Sequence, residues 1–339
     1  MIRTLVGALI GIGILAILLS RIDLQQLSSA LWGVHVSLFV VSLGVRVLVM
    51  WIKAVRWAIT LRGATSRPVY RTFRASMIGF AGNVLLPARL GELARISVIE
   101  KHNRIGRSLA LATLGMTQLV DLLVLIGYFL VISLWTTNLF PAYRWTLSVL
   151  GVMIVCTLSG LAILPHQSQA LRVLLSPIRR KVPPPLERLL MRYTEPFVRG
   201  LGVLSQRTVA VRVLALTIMV WVLETASAYG MLQAFHIQAS VLMAAMVVVG
   251  LNLSFVIPIT PGNVGVVQAI SIFLLGTFGV AQELALAYSI GAEGTACLVV
   301  VGLGAASFYG ERMNLNLFGQ ATCENTPARP APAIQPPHL

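Results

Sequence analysis

The chain has 339 residues, of which 57% are hydrophobic and only 11% are charged, with a mean hydropathy of +0.85 and a net charge of +15. A water-soluble domain carries about 25% charged residues, so this composition excludes an ordinary soluble protein and indicates an integral membrane protein. Its basic residues lie between apolar runs, where they set orientation and attract anionic lipid headgroups, so nucleic acid is not expected as a partner.

The first part of the chain predicts two membrane spans joined by a short polar connection that can form an interfacial helix. The spans cover about 4–20 and 36–60, and the connection covers 21–34. Three basic residues interrupt the second span. Lys53 and Arg56 are close enough to its end to extend toward the headgroups. Arg46 lies nearer the middle, so it either faces the interior of a helix bundle or marks a different boundary.

A polar break then interrupts the apolar sequence at residues 83–95, which read NVLLPARLGELAR. An ionised side chain at the bilayer centre costs about 3 kcal/mol, so charges here need a structural or functional reason. Both flanks of 75–100 are basic, which places both in the cytoplasm. The simplest arrangement is a re-entrant hairpin whose break contains Pro87 and Gly91. Such irregular backbone needs protein or a watery cavity around it.

The rest of the chain predicts five further spans or broken spans, a basic linker and a tail. The predicted segments are span three at 108–135, span four at 145–164, a cytoplasmic linker at 166–207, span five at 209–234, a broken region at 240–279, a last span at 284–309, and a disordered Pro/Ala-rich tail at 318–339. The linker either forms a helix on the membrane surface or is a solvated elbow. Residues 1–317 thus form one transmembrane domain, with halves at 1–165 and 208–317.

The second half repeats the break of the first. Pro87 is followed four residues later by Gly91, and Pro258 is followed four residues later by Gly262. Further residues expected at the second break are Pro261, Asn263 and Gly265. The second break has poorly charged flanks, which predicts that it opens to the outside. We therefore predict an all-α polytopic bundle with two inverted repeats, each containing a re-entrant or broken-helix hairpin. Two helices kinked by proline for packing are the alternative.

Residues 83–95 and 258–268 resemble the two signatures of the transmembrane region of lysylphosphatidylglycerol synthases. This family includes uncharacterised multispan proteins and the flippase half of the multiple peptide resistance factor. The resemblance extends over roughly 5–310. The family often has an acidic residue where this chain has Gln268. The resemblance implies that the protein moves or handles a lipid with a charged or glycosylated headgroup.

Seven residues are candidates for contact with a lipid headgroup: Asn83, Arg89, Glu92, Arg95, Asp121, Asn263 and Gln268. Glu92 and Arg95 are three residues apart and share one face of a helix. They can bind an amine and a phosphate of the headgroup, or pair with each other. Asp121 can pair with Arg89 or Arg95. The asparagines can also satisfy the broken backbone.

The remaining charged and reactive residues form no recognisable catalytic pattern. Glu224 and Glu293 lie inside predicted spans, where they either carry protons or face a polar cavity. The three cysteines and five histidines form no CxxC, Ser–His–Asp or metal-binding pattern, and the chain has no P-loop. We therefore expect neither a cofactor nor a bound metal, and no enzyme activity.

We predict a lipid flippase that moves a polar- or charged-headgroup phospholipid or glycolipid across the cell inner membrane, with the C-terminus in the cytoplasm. Two alternatives stay open. One is a membrane-embedded transferase that acts on a lipid-linked donor. The other is a scaffold that recruits a lipid-modifying enzyme through the basic linker. Assembly into a homo-oligomer is compatible with all three.

Overall fold

The computed structural model describes residues 2–61, 69–86, 90–103, 106–135, 206–254 and 260–310. Every regular element in these ranges is a helix, as an all-α bundle requires. The helices are α1 (Ile2–Leu19), α2 (Leu24–Trp32), α3 (Val36–Leu61), α4 (Val69–Leu85), α5 (Leu90–Asn103), α6 (Arg107–Trp135), α7 (Arg207–Ala234), α8 (Val241–Ser254), α9 (Val266–Gly276) and α10 (Gln282–Gly310). A short 3₁₀ turn, Pro261–Asn263, precedes α9.

Four helices in the described part of the chain are long and apolar enough to cross a membrane: α3, α6, α7 and α10. They confirm the predicted spans two, three, five and last to within two residues at each end. A fifth candidate is the pair formed by Leu9–Leu19 and Leu24–Trp32, which is bent by 99°. Predicted span four, nearly all of the linker and the tail lie outside the described residues.

The sharp bend between α1 and α2 has a local cause. Asp23 is the N-cap of α2, and its Oδ1 atom accepts hydrogen bonds from the backbone nitrogens of Gln25 at 2.8 Å and Gln26 at 3.3 Å. This cap satisfies donors that the first turn of a helix leaves unpaired, so α2 starts as a new helix. Leu27 of α2 is buried in the cluster that contains Leu232 of α7 and Leu286 of α10.

The helices follow the same order in each half of the described chain. A long helix is followed by two short helices with a break between them, and then by another long helix. In the first half the four lengths are 26, 17, 14 and 29 residues, and in the second half they are 28, 14, 11 and 29 residues. This order agrees with two repeats.

The first helices of the two halves, α3 and α7, run antiparallel and in contact along much of their length. Residue numbers rise along one helix as they fall along the other. The contacting pairs, in order, are His35 with Ala234, Ser42 with Ser227, and Arg56 with Thr217. Antiparallel first helices are what an inverted repeat requires. The inverted repeat itself stays a prediction.

Helices α4 and α5 form the hairpin predicted for the first break. The hairpin is longer than expected: α4 begins at Val69 and α5 ends at Asn103. The two helices approach closely because Gly91 has no side chain. A Cβ atom at Gly91 would lie 2.0 Å from the carbonyl oxygen of Gly79 and 2.5 Å from the backbone nitrogen of Asn83. The tip residues Pro87 and Arg89 lie outside the described residues.

The second break has a left-handed backbone that α1 covers. Gly262, Asn263 and Gly265 have φ values of 60°, 53° and 84°, a region that glycine and asparagine adopt most readily. A Cβ atom at Gly265 would lie 2.5 Å from the carbonyl oxygen of Gly11 in α1. Pro258 lies outside the described residues. The described part of the predicted break is residues 260–265, where α1 packs directly on the backbone.

The two breaks lie next to each other. The 3₁₀ turn of the second break contacts α4. A Cβ atom at Gly262 would be 3.5 Å from the carbonyl oxygen of Val84, near the end of α4. The bundle therefore has a central region where two interrupted helices, one from each half, meet.

Candidate functional site

A cavity of about 920 Å³ lies at the meeting point of the two breaks. Its wall includes residues from α1, α3, α4, α5, the 3₁₀ turn, α7, α8, α9 and α10. Apolar side chains outnumber the polar ones in this wall, but polar and charged side chains are also numerous. This composition is typical of ligand-binding pockets.

The charged residues of the wall come from α3, α7 and α10, which are predominantly apolar, and from α5, which is more polar. Arg46 and Lys53 are seven residues apart on α3 and therefore point to the same side of that helix. Glu224 belongs to α7, Glu293 to α10, and Glu92 to α5. Charges in a membrane span usually face the interior of the bundle or a water-filled cavity and pair with each other.

Two ion pairs connect α3 with the second half of the protein. Arg46 Nη2 donates to Glu293 Oε1 at 2.7 Å, and Lys53 Nζ donates to Glu224 Oε1 at 2.8 Å. The side chains are 23% and 15% exposed in the first pair and 26% and 13% exposed in the second. Arg46 thus faces the bundle interior. The expectation that Lys53 extends to the headgroups was wrong because Glu224 satisfies it inside the bundle.

A third ion pair lies outside the cavity wall and joins three helices. Both guanidinium Nη atoms of Arg56 donate to the carboxylate of Asp121 on α6, and Nη1 also donates to Thr217 Oγ1 on α7 at 2.8 Å. The Arg56 side chain is only 5% exposed. Two expectations were wrong: Arg56 does not extend to the headgroups, and Asp121 pairs with Arg56 rather than with Arg95. A bidentate pair of this kind fixes the geometry of the helices that carry it.

The candidate pair Glu92 and Arg95 is an ion pair at the first break. Arg95 Nη1 donates to Glu92 Oε2 at 3.2 Å, and Asn83 Nδ2 donates to Glu92 Oε1 at 3.2 Å. Glu92 and Asn83 line the cavity. Arg95 is buried behind them, with its guanidinium carbon 4.2 Å from the centroid of the Trp57 ring. Two roles were expected for Arg95: contact with a headgroup phosphate, or pairing with Glu92. In the structure Arg95 pairs with Glu92.

The candidates at the second break, Asn263 and Gln268, also line the cavity. Gln268 Oε1 accepts a hydrogen bond from the backbone nitrogen of Gly265 at 2.7 Å, so this side chain caps α9. The Oδ1 atom of Asn263 is buried and has no hydrogen-bond partner among the described residues. Asn252 Nδ2 donates to the carbonyl oxygen of Val248 in its own helix at 2.8 Å. Gln268 thus has a structural role at this break, whereas Asn263 keeps a buried acceptor that no described residue satisfies.

Four charged residues of the wall are absent from the seven headgroup candidates predicted from the sequence: Arg46, Lys53, Glu224 and Glu293. The signal was present, since basic residues seven apart on one apolar helix form one polar face. Glu224 and Glu293 lie inside later spans, and acids in such positions usually pair with bases of the bundle. Glu224 and Glu293 do face the polar cavity, which was one of the two roles considered for them.

Comparisons with known proteins match this chain to membrane proteins, in agreement with its apolar helices. The model of the family described as "Lysylphosphatidylglycerol synthase TM region" matches residues 4–304. A "UPF0104 membrane protein" from Methanothermobacter thermautotrophicus is 23% identical over 295 residues, which cover 83% of this chain and 87% of that protein. No solved structure matches.

Proposed function

Because this multi-span membrane protein belongs to the lysylphosphatidylglycerol synthase transmembrane-region family, we propose that it is a flippase for a lipid with a polar or charged headgroup. The observation that carries the proposal is the cavity of about 920 Å³, whose wall has five charged side chains within an apolar helix bundle. A headgroup can enter such a polar cavity while its acyl chains stay in the bilayer.

The size and composition of the cavity support a lipid headgroup. Small-molecule sites typically have volumes of about 300–1,000 Å³, so this cavity is at the large end of that range. The apolar side chains of the wall suit the glycerol and upper acyl region of a lipid. The ion pairs Arg46–Glu293 and Lys53–Glu224 offer both donors and acceptors to a charged headgroup.

The position of the cavity supports transport by alternating exposure. Its wall includes residues of both breaks, Asn83 and Asn263, and of both antiparallel helices α3 and α7. In transporters with inverted repeats, the substrate site lies at the repeat interface and is formed by broken helices. We propose that the first break opens to the cytoplasm and the second to the opposite side of the inner membrane. The basic flanks of the first break favour this orientation.

The proposal can be tested with the full-length protein reconstituted into liposomes that contain tail-labelled fluorescent phospholipids. Chemical quenching of the outer leaflet then reports the rate of lipid exchange. The double variant Lys53→Met with Glu224→Met removes one ion pair without leaving a buried charge unpaired. We expect an exchange rate lower by about tenfold or more, since a charge-assisted hydrogen bond contributes about 1.5–3 kcal/mol.

A matched control is available at an ion pair whose two residues do not line the cavity. Glu100 and Arg107 pair at the surface, with side chains 36% and 57% exposed. The double variant Glu100→Gln with Arg107→Gln should keep the wild-type rate, because exposed ion pairs contribute little. Wild-type exchange no faster than in empty vesicles would reject the flippase. Formation of a modified lipid by the purified protein would instead favour the transferase alternative.

A further inference from the structure

The charges on the cavity wall balance one another before any ligand enters. The wall residues that the structure describes include two bases, Arg46 and Lys53, and three acids, Glu92, Glu224 and Glu293. Each base is in contact with one acid, and Glu92 is in contact with Arg95 behind the wall. A ligand that enters the cavity therefore contacts ion pairs rather than an unpaired charge.

Ligands with a single charge fit this wall poorly. An anionic headgroup can bind Arg46 only by taking it from Glu293, which then remains as an unpaired carboxylate inside the bundle. A cationic headgroup can bind Glu293 only by taking it from Arg46, which then remains as an unpaired guanidinium inside the bundle. In both cases the protein loses a partly buried ion pair and keeps an uncompensated charge inside the bundle, which is unfavourable.

A ligand with both charges can exchange partners with the wall. Phosphate oxygens accept hydrogen bonds from the guanidinium or ammonium group, and a primary ammonium donates to the carboxylate. Every charge then keeps a partner of opposite sign. We propose that the cavity selects zwitterionic phospholipid headgroups that contain a phosphate and a primary ammonium. This inference rests on the proposed flippase function and specifies its substrate class.

The two cavity pairs are the ones placed to exchange. In the Arg46–Glu293 and Lys53–Glu224 pairs, all four side chains line the cavity and are 13–26% exposed. Arg56 and Arg95, by contrast, are 5% and 8% exposed and do not line the cavity. A headgroup can therefore reach both members of each cavity pair, while the other two arginines keep their partners. We assign Arg46 and Lys53 to the phosphate, and Glu293 and Glu224 to the ammonium.

The test compares three tail-labelled lipids in liposomes that contain the full-length protein. Phosphatidylethanolamine has both groups, phosphatidylglycerol has the anionic phosphate without the ammonium, and phosphatidylcholine has a quaternary ammonium that cannot donate hydrogen bonds. We expect phosphatidylethanolamine to exchange at least about tenfold faster than phosphatidylglycerol, the difference that one charge-assisted hydrogen bond can produce. Phosphatidylcholine should exchange more slowly than phosphatidylethanolamine.

Single neutralising variants should change the selectivity rather than only the rate. Glu293→Gln leaves Arg46 without its carboxylate, so an anionic headgroup no longer has to break a pair. The rate ratio of phosphatidylglycerol to phosphatidylethanolamine should rise by about tenfold. Glu224→Gln should have the same effect through Lys53, which keeps the test usable if one variant does not fold. Glu100→Gln is the matched surface control and should leave the ratio unchanged.

The outcomes separate this inference from the function on which it rests. Equal exchange of all three lipids, or faster exchange of phosphatidylglycerol, would overturn the selectivity and leave the flippase intact. Exchange of none of them would reject the flippase itself. If the liposomes take up soluble glycerophosphoethanolamine but do not exchange the lipid, the ligand is a soluble headgroup and not a membrane lipid. A lower rate for all lipids in Glu293→Gln, with an unchanged ratio, would assign Glu293 a structural role only.

Discussion

At the scale of single residues, ion pairs join α3 to three other helices, through Asp121 on α6, Glu224 on α7 and Glu293 on α10. Arg56 is the clearest case, since its guanidinium is almost fully buried and contacts both Asp121 and Thr217. The sequence places Arg56 near the end of an apolar span, which suggested contact with headgroups. The partner on α6 overrides that suggestion because a bidentate carboxylate satisfies the charge inside the protein.

Removal of the carboxylate at position 121 should destabilise the protein strongly. Asp121→Asn leaves Arg56 as a buried charge without compensation, which costs about 3–5 kcal/mol. We expect a clear decrease in Tm for the detergent-purified protein, measured by circular dichroism. Arg56→Met with Asp121→Leu removes both charges and should recover much of the loss. Equal Tm values for Asp121→Asn and the wild type would contradict the role of this pair.

The charged residues could be located from the sequence, but most of their partners could not. Arg46 and Glu293 are 247 residues apart, and Arg56 and Asp121 are 65 residues apart. Which acid meets which base depends on the rotation and depth of whole helices, and no local pattern encodes these quantities. The pair Glu92 and Arg95 was predictable because both residues share one helix turn.

At the scale of helices, the sequence was far more informative. Apolar runs predicted the bounds of α3, α6, α7 and α10 closely, because a bilayer imposes a minimum length on a span. Proline and glycine located both breaks. The sequence could not predict that the two breaks touch, since that contact depends on how the two halves pack.

The α4–α5 hairpin depends on a glycine contact that a methyl group should disrupt. Gly91→Ala places a Cβ atom 2.0 Å from the carbonyl oxygen of Gly79, so the two helices must separate. Overpacking of this kind costs about 1–3 kcal/mol. We expect a lower Tm and slower lipid exchange, because Glu92 moves with α5.

The matched control for Gly91→Ala is another glycine within a helix. A Cβ atom at Gly115 on α6 would have no described neighbour within 4 Å. Gly115→Ala should keep or slightly raise Tm, since alanine favours a helix by about 1 kcal/mol over glycine. If both variants lower Tm equally, the close approach of α4 and α5 is not what requires Gly91.

At the scale of the whole molecule, the repeated helix order and the antiparallel pair α3–α7 lead to a prediction about access. If the halves are inverted, the two breaks are reached from opposite sides of the membrane. Leu90 begins α5 and Val264 follows the 3₁₀ turn, and the two side chains are 38% and 47% exposed. In a variant without native cysteines, Leu90→Cys and Val264→Cys should react with an impermeant maleimide from opposite sides.

The labelling experiment uses oriented membrane vesicles and compares the two single-cysteine variants. Val264 is a better position than Gly262, because Gly262 has a left-handed backbone that a cysteine would strain. Addition of a detergent should make both positions reactive, which controls for local burial. Reaction of both cysteines from the same side only would contradict the inverted arrangement.

The long-range ion pair between Arg46 and Glu293 also constrains how the protein is made. The two residues are separated by 247 positions, which takes about 12–50 seconds to synthesise at 5–20 residues per second. During that time α3 has already left the ribosome, while Glu293 does not yet exist. We therefore expect Arg46 and Lys53 to remain without these carboxylate partners until Glu293 and Glu224 have been synthesised. The contact between Arg46 and Glu293 that joins the two halves can therefore form only after α10 has been synthesised.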